Sequence, residues 1–594
     1  MAQNKKSKKE MPKEQQTSFK ELSFSDKIRY IFGYYKYYML AAVIIIAAAG
    51  YTIYSFVQNN YDIKCNIVVV DGKITGYDTY SDDITKNFTR YIGLDGKKER
   101  VELDCHYSLT IKPLDQEANI SQNKIYILAS VGSIDGYMAN RDYIDYFSTD
   151  AETFLYDLTE ILTDDELAKM QSDYNRYDNM GSKSPIYRKC DLKISITSDG
   201  VKNTYIIRNT GIRMKGNTSR TAFYDSNSGV YSLIHFKVDF TETFDDEQYY
   251  GGDSDYDLDI DKEKQQNRTF ATLDSMEIKW NQTSDSTYVR EYYACEMYRD
   301  FGILAQRTNL ASINLGDVHE GIFKIYEPVD KKFIKRYVAE EDCGGDLYKC
   351  GWTRNGATFL TNVSYGIEDK ENRKFYNYDL KTNKKTSTHE SLLKLIRYLN
   401  GSNVDKEGLS EYIDMNYFLR FSAVSYFVGN PDDMRNNYNN YYIYFLKSSN
   451  KMIIIPYDND RCFGITAQYN PSGDAMTGVK WESERAVGNG GLPQENPLVR
   501  YTITRIGFFT EEFKAELDKV ADSEWLTYDK FSKIYEIAFN NYKDDTVPGK
   551  TMYNVYNFDY KFNIDKSSGL GSSNGNASFK DYIDAKLKFY NNNR

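Results

Sequence analysis

Between Gly429 and Gly464 the chain reads GNPDDMRNNYNNYYIYFLKSSNKMIIIPYDNDRCFG, and no other stretch restricts the fold as much. Tyr441–Leu446 and Met452–Ile455 are short aromatic or β-branched runs separated by the polar Lys447–Lys451, the pattern of a β-hairpin. Antiparallel pairing brings Asp432 and Asp433, before the first strand, to the same sheet end as Asp458 and Asp460, after the second. Carboxylates so placed repel one another unless a cation joins them, and carboxylate and amide oxygens are the ligands that a hard ion such as Mg²⁺ takes. An Asp to orient a hydroxyl, with an Asp and an Asn to hold metal against phosphates, is also what phosphoryl transfer needs. A polar sheet end with a calcium-stabilised turn is the competing explanation.

Upstream, Cys190–Ile196 and Thr204–Arg208 read as strands around the turn Thr197–Asn203. They lead to Lys215-Gly216-Asn217-Thr218-Ser219-Arg220, where a flexible Gly stands among amide, hydroxyl and cationic donors suited to phosphate oxygens. Lys237 lies in the strand-like Phe236-Lys237-Val238-Asp239-Phe240. Asp285 is placed to cap a helix over Thr287–Phe301 that stops at Gly302. Ala311–Val329 has a hairpin turn at Gly316-Asp317.

Several of these segments, in this order, resemble the CotH family of spore-coat protein kinases. They are Gly211-Ile212-Arg213-Met214-Lys215-Gly216-Asn217-Thr218-Ser219, Asn430-Pro431-Asp432, Asn440-Tyr441-Tyr442-Ile443-Tyr444, Ile455-Pro456-Tyr457-Asp458-Asn459-Asp460 and Phe463-Gly464, with Asp346-Leu347-Tyr348-Lys349 similar in wording. The resemblance covers about 190–510. It implies an α+β, two-lobed atypical protein-kinase-like fold that uses ATP and Mg²⁺, with Mn²⁺ as the alternative, to phosphorylate Ser/Thr hydroxyls of protein substrates. On it, Asp432 is the catalytic carboxylate, Asn440 and Asp458 hold metal, and Lys215, Gly216, Asn217, Ser219 and Lys237 bind the nucleotide. The interval from Asp432 to Asn440 is longer than in kinase catalytic loops, and Asn437 keeps the usual spacing, so it stands as the substitute ligand. Glu291 or Glu296 is placed to pair with Lys237, with a surface helix carboxylate as the competing and preferred reading of each, and Glu327 is a further candidate for the nucleotide pocket that ranks below the Asp residues.

Tyr38–Val57 carries no charge over the length of a bilayer core and follows the lysine-rich residues 1–36. A transmembrane helix over 37–58 is expected, with a cleaved signal peptide as the alternative. The positive-inside rule then leaves 1–36 cytoplasmic and the main domains extracytoplasmic in a bacterial membrane, away from cytoplasmic ATP. Residues 60–185 read as a small α/β domain, with strands at Ile63–Asp71, Val101–Ile111 and Ile125–Ser130. Helices are expected from Thr149–Glu152 through Leu162 and from Thr163 onward. The kinase-like domain takes 186–510, with a Gly-rich flap at Pro471–Gly491, and a mainly helical extension takes 511–594.

A formal net charge of −11 argues against nonspecific nucleic-acid binding and suits a basic, Ser-rich protein substrate. The acidic segment within Thr241–Asn267 lacks EF-hand spacing and reads as a solvated loop. Seven cysteines without C-x-x-C pairs indicate no zinc site, while Cys343 and Cys350 allow either a small bridged loop or two thiols. Two other function classes remain. One is a non-catalytic adhesion or scaffolding protein on the same fold, and the other a calcium-stabilised wall-binding protein.

Overall fold

The computed structural model describes residues 23–29, 37, 62–70, 90, 94, 99–107, 136–138, 155–180, 182–198, 201–216, 222–225, 230–231, 233–283, 285–351, 358–359, 367, 377–435, 438–465, 485–487, 493–547, 561–565 and 577–593. Contacts divide the chain into one unit of residues 1–107 and 124–138 and another of 108–123 and 139–594. In the first, β1 (Asp62–Val70) pairs in parallel with β2 (Glu99–Tyr107) and β3 (Gly136–Met138). The strand expected at Ile125–Ser130 lies outside the described residues.

The second unit begins with a closed seven-stranded barrel. Its strands are β4 (Leu155–Ile161), β5 (Arg188–Ser198), β6 (Val201–Lys215), β9 (His235–Asp239), β10 (Ser275–Trp280), β11 (Thr308–Leu315) and β12 (Val318–Tyr326), ordered β10-β12-β11-β4-β5-β6-β9. A two-residue ribbon, β7 (Tyr224–Asp225) with β8 (Val230–Tyr231), precedes β9. All barrel pairs are antiparallel except β4 with β11. Leu155–Ile161 is thus a strand, not the expected helix, because Tyr156 pairs with Ile196 and Ser312 with Asp157, and this tertiary pairing overrides the capping signal before it. The next helix forms as expected: α1 (Asp164–Asn179) is capped by Thr163, whose hydroxyl accepts from the Glu166 amide. Ile194, Ile212, Phe236, Val238, Ile278 and Phe323 fill the barrel core. Alternation along β10 puts Glu277 and Lys279 on the opposite face from Met276, Ile278 and Trp280.

Beyond the barrel, α2 (Arg290–Asp300) starts where the Asp285 carboxylate accepts from the amides of Thr287 and Arg290. A short α3 (Lys331–Tyr337) leads to the antiparallel sheet β14-β13-β15-β16, built from β13 (Leu347–Cys350), β14 (Tyr378–Leu380), β15 (Tyr441–Phe445) and β16 (Met452–Pro456). The expected β15–β16 hairpin is present, with Tyr441 opposite Pro456. Helices α4 (Glu390–Leu399), α5 (Lys406–Tyr412) and α6 (Met415–Val428) come between. A helix apolar on every side must be enclosed, and α6 is, with Phe418, Phe421, Val424 and Phe427 all buried. Strand β17 (Arg485–Val487), inside the expected flap, pairs with β18 (Pro493–Glu495) just beyond it, and the rest of the flap lies outside the described residues. Helices α7 (Pro497–Thr502), α8 (Thr510–Ala521), α9 (Tyr528–Tyr542) and α10 (Phe579–Asn593) complete the unit and share one core with α2 and α6.

Three expectations are settled outside the site. The membrane-anchored placement is corrected: among the described residues no helix is long and apolar enough to cross a membrane, and Tyr38–Val57, on which it rested, lies outside them. Cys343 and Cys350 are not bridged to each other. The acidic segment owes part of its composition to capping, since Asp246, Asp253 and Asp261 accept from the amides of Gln248, Asp255 and Lys264 at the starts of three short helical turns.

Candidate functional site

Helix α6 ends at Gly429, whose φ of +61° turns the chain into Asn430-Pro431-Asp432. Asn430 is buried and joins the two acidic segments. Its Nδ2 donates to the Asp458 carbonyl at 3.2 Å and its Oδ1 accepts from the Asp432 amide at 3.0 Å. The hairpin register does the rest, because Tyr457 donates its amide to the Asn440 carbonyl just beyond the last strand pair. Asn440 and Asp458 both have φ of +55°, a conformation that Asn and Asp tolerate better than most residues. The Asn440 amide donates to Asp432 Oδ2 at 3.0 Å and to the Asp432 carbonyl at 3.0 Å, and Asn439 donates to both carboxylate oxygens at 3.3 Å. Asp432, Asn440 and Asp458 therefore lie in one hydrogen-bonded turn system.

The outer face of the barrel brings the opposite charge. Lys279 Nζ bonds Asp458 Oδ1 at 2.6 Å. Lys215, at the end of β6, pairs with Glu277 and donates to the Tyr457 hydroxyl at 2.7 Å. Lys349, from β13, stands 3.9 Å from the centre of the Tyr457 ring, a cation–π contact. Burial and the neighbouring Lys279 charge push the Lys215 ammonium down to about 8, against the pull of Glu277. Burial and Lys215 push Lys349 well below the usual lysine range. Burial would raise the Glu277 carboxyl, but the Lys215, Lys279 and Lys349 charges outweigh it and hold it at about 2. Three ammonium groups thus converge on two carboxylates, Glu277 and Asp458, leaving a surplus of positive charge suited to an anion.

A third group flanks Asp458. Burial, then the Asp458 and Glu291 charges, raise the Asp460 carboxyl to about 8. Glu291, on α2 and 1% exposed, accepts from Lys324 Nζ at 3.3 Å and from the Tyr326 hydroxyl through Oε2. Its Oε1 has no hydrogen-bond partner among the described residues. Carboxylates crowded to the point where one is held protonated fit a divalent cation, whose charge would relieve the repulsion. By contrast, the grouping of Asp165, Glu166 and Asp255 is spanned by the Lys169 ammonium, 2.8 Å from Asp165 and 2.9 Å from Asp255.

Of the residues singled out in the sequence, Asp432, Asn440, Asp458 and Lys215 come together, and Gly216 follows Lys215 with φ of +115°. Asn217, Ser219 and Asn437 lie outside the described residues. Lys237 sits on β9 between Arg213 and Glu277 in register. The expected ion pair of Lys237 with helix α2 is corrected: Glu291 pairs with Lys324 and Glu296 with Arg299, because Lys324 is the barrel lysine facing the buried start of α2. Glu327 is corrected too, since Arg336 at 2.6 Å and the Tyr337 hydroxyl at 2.8 Å engage its carboxylate and make it a structural anchor. Sequence reading passed over Glu277, Lys279, Asn430 and Tyr457 as site residues. The signal for the first two was a strand, Met276-Glu277-Ile278-Lys279-Trp280, whose charges alternate with core residues.

Residues 253–536 match the family described as CotH kinase protein. The curated proteins contain no match. Among solved structures the chain is similar to the crystal structure of a Helicobacter pylori proinflammatory kinase, CtkA, with 11% identity over 46% of this chain and 87% of that chain. The TM-score is 0.20.

Proposed function

We propose that this chain, whose residues 253–536 match the family described as CotH kinase protein, transfers the γ-phosphoryl group of ATP to Ser or Thr hydroxyls of protein substrates with Mg²⁺. One observation carries the reading: Lys215, Lys279 and Lys349 converge beside the turn system that contains Asp432, Asn440 and Asp458. The lysines bind phosphate oxygens, and the negative charge of ATP offsets their mutual repulsion. Asn440 has committed its amide hydrogens to Asp432, which leaves Oδ1 for a cation shared with Asp458. When bound, Mg²⁺ neutralises charge on the phosphates. Asp432 orients the acceptor hydroxyl and takes its proton while the new O–P bond forms, the bond from γ-phosphorus to the bridging oxygen breaks, and ADP departs. Apart from that proton transfer, the protein contributes positioning and fixed charge.

A second reading, nucleotide binding without transfer, draws on the Asp432 carboxylate, which accepts from both Asn439 and Asn440. The deciding experiment incubates the full chain with γ-labelled ATP, Mg²⁺ or Mn²⁺ and a basic Ser-rich protein. Transfer that disappears in Asp432→Ala and Asp458→Ala supports the kinase. Tight nucleotide binding without any label transfer by the unaltered protein supports the second reading.

A further inference from the structure

The turn that carries Asp458 and Asp460 continues into Arg461-Cys462-Phe463-Gly464, and this continuation is held by a part of the chain outside the family-matched region. The Ala577 amide donates to the Gly464 carbonyl at 2.8 Å. Arg290, fully buried one residue before Glu291, donates through Nη1 to the Phe463 carbonyl at 2.8 Å and to the Ala577 carbonyl at 2.9 Å. One guanidinium thus fastens α2, the acidic turn and the lead-in to α10 to each other. The ring of Phe463 lies 5.2 Å from that of Phe579 and 5.9 Å from that of Tyr582, both fully buried. Phe579 stacks on Phe531 of α9 with ring centres 3.6 Å apart.

The same helix reaches the other acidic segment. The Tyr582 hydroxyl donates to the Phe427 carbonyl at 3.1 Å, at the end of α6 and just before the Asp432 turn. It stands where a Cβ on Gly429 would be, and Gly464 likewise meets Ala577 and Tyr582. Both turns of the site therefore rest on residues 577–582. Close packing transmits a shift of one to the other, since interiors have no slack to absorb it.

We propose that Ala577 and Tyr582, with Arg290, are positioning residues for the Asp432 and Asp458 turns, so that the C-terminal helix completes a site whose chemical groups lie elsewhere in the chain. The proposal rests on the phosphoryl-transfer reading for its effect on activity, but its effect on the turns does not.

The test uses the full chain carrying Ala577→Pro, which deletes the amide hydrogen bonded to Gly464, with Ala577→Gly as the variant that restores it. Three measurements are made: hydrogen exchange over 458–465, the Mg²⁺ dependence of phosphoryl transfer, and the thermal midpoint. In Ala577→Pro, exchange over 458–465 should accelerate and half-saturating Mg²⁺ should rise about tenfold, the usual effect of removing a support behind a metal ligand, while Ala577→Gly behaves like the unaltered protein. A folded Ala577→Pro with unchanged exchange and Mg²⁺ dependence overturns the proposal. Should Ala577→Pro fail to fold, Tyr582→Phe is measured over 427–432 and 458–465 in the same way, and unchanged values there overturn it. Absence of transfer in the unaltered protein defeats the kinase reading alone, and the exchange measurement still decides the brace.

Discussion

Lys279, on the barrel, and Asp458, on the turn after the hairpin, form an ion pair of 2.6 Å that joins two separately built sheets. Their partners differ in kind: Lys279 also lies 4.2 Å from the centre of the Tyr326 ring, whereas Asp458 faces the crowded Asp460. The pair is therefore both a link across the site and the restraint on a concentrated negative charge. Lys279→Met should lower kcat/KM by about 10²-fold or more, as losses of preorganised charge do. Lys279→Arg should rescue only part of it, because a planar guanidinium does not reproduce a compact ammonium. Steady-state kinetics with ATP as the varied substrate check this.

The Lys215 ammonium, lowered to about 8 by burial and by Lys279, gives the free protein a basic limb within reach of ordinary buffers. Below that pH it is charged and, on the phosphoryl-transfer reading, available to a phosphate; above it the charge is lost. The kcat/KM for ATP should fall as pH rises through about 8, since that profile reports groups of the free protein. Lys215→Arg should move the fall to higher pH.

Glu277 acts in the opposite range. Its folded-state carboxyl, at about 2, lies below the usual 4.5, so the stabilisation is complete above 4.5 and disappears as pH falls towards 2. A shift of this size corresponds to about 3 kcal/mol. Urea unfolding between pH 5 and 3, compared with Glu277→Gln, should show a flatter acid slope in the variant and a lower stability at pH 7, where Lys215 would lose its partner.

Metal binding should be visible without turnover. Mn²⁺ or Mg²⁺ with a nonhydrolysable ATP analogue should raise the thermal midpoint of the unaltered protein by ligand linkage. Asp458→Ala should abolish most of that rise. An equal rise in both would place the cation elsewhere.

Gly429 has φ of +61° and faces the Tyr582 hydroxyl where a side chain would begin. Gly429→Ala should cost about 1–3 kcal/mol through backbone strain and overpacking, read by chemical denaturation. A second change, Tyr582→Phe, should recover part of the loss if the hydroxyl is the obstacle.

The hairpin, the Asp285 cap, the Gly316-Asp317 turn and the carboxylates around Asn440 were legible because each depends on a local pattern. Lys279 and Glu277 were not, because their importance arises only when the barrel face meets Tyr457 and Asp458, and nothing within Ser275–Trp280 announces that meeting. Glu291 was legible as a helix carboxylate, but the sequence offered Lys237 as its partner, while strand register set Lys324 before it. Leu155–Ile161 misled for the same reason: capping residues preceded it, and its partners Ile196 and Ser312 lie far along the chain.

That strand also imposes an order on folding. Four of the barrel's strands, β4, β5, β6 and β9, precede residue 253, where the family match begins, and β4 finds its parallel neighbour only when β11 has been made. During synthesis Asp157 waits for Ser312, so the barrel closes through a long-range pairing, which is slow and leaves an edge open in the meantime. A fragment trimmed to residues 253–536 would retain β10, β11 and β12 as a sheet with bare edges, and its natural fate is aggregation rather than a smaller working protein.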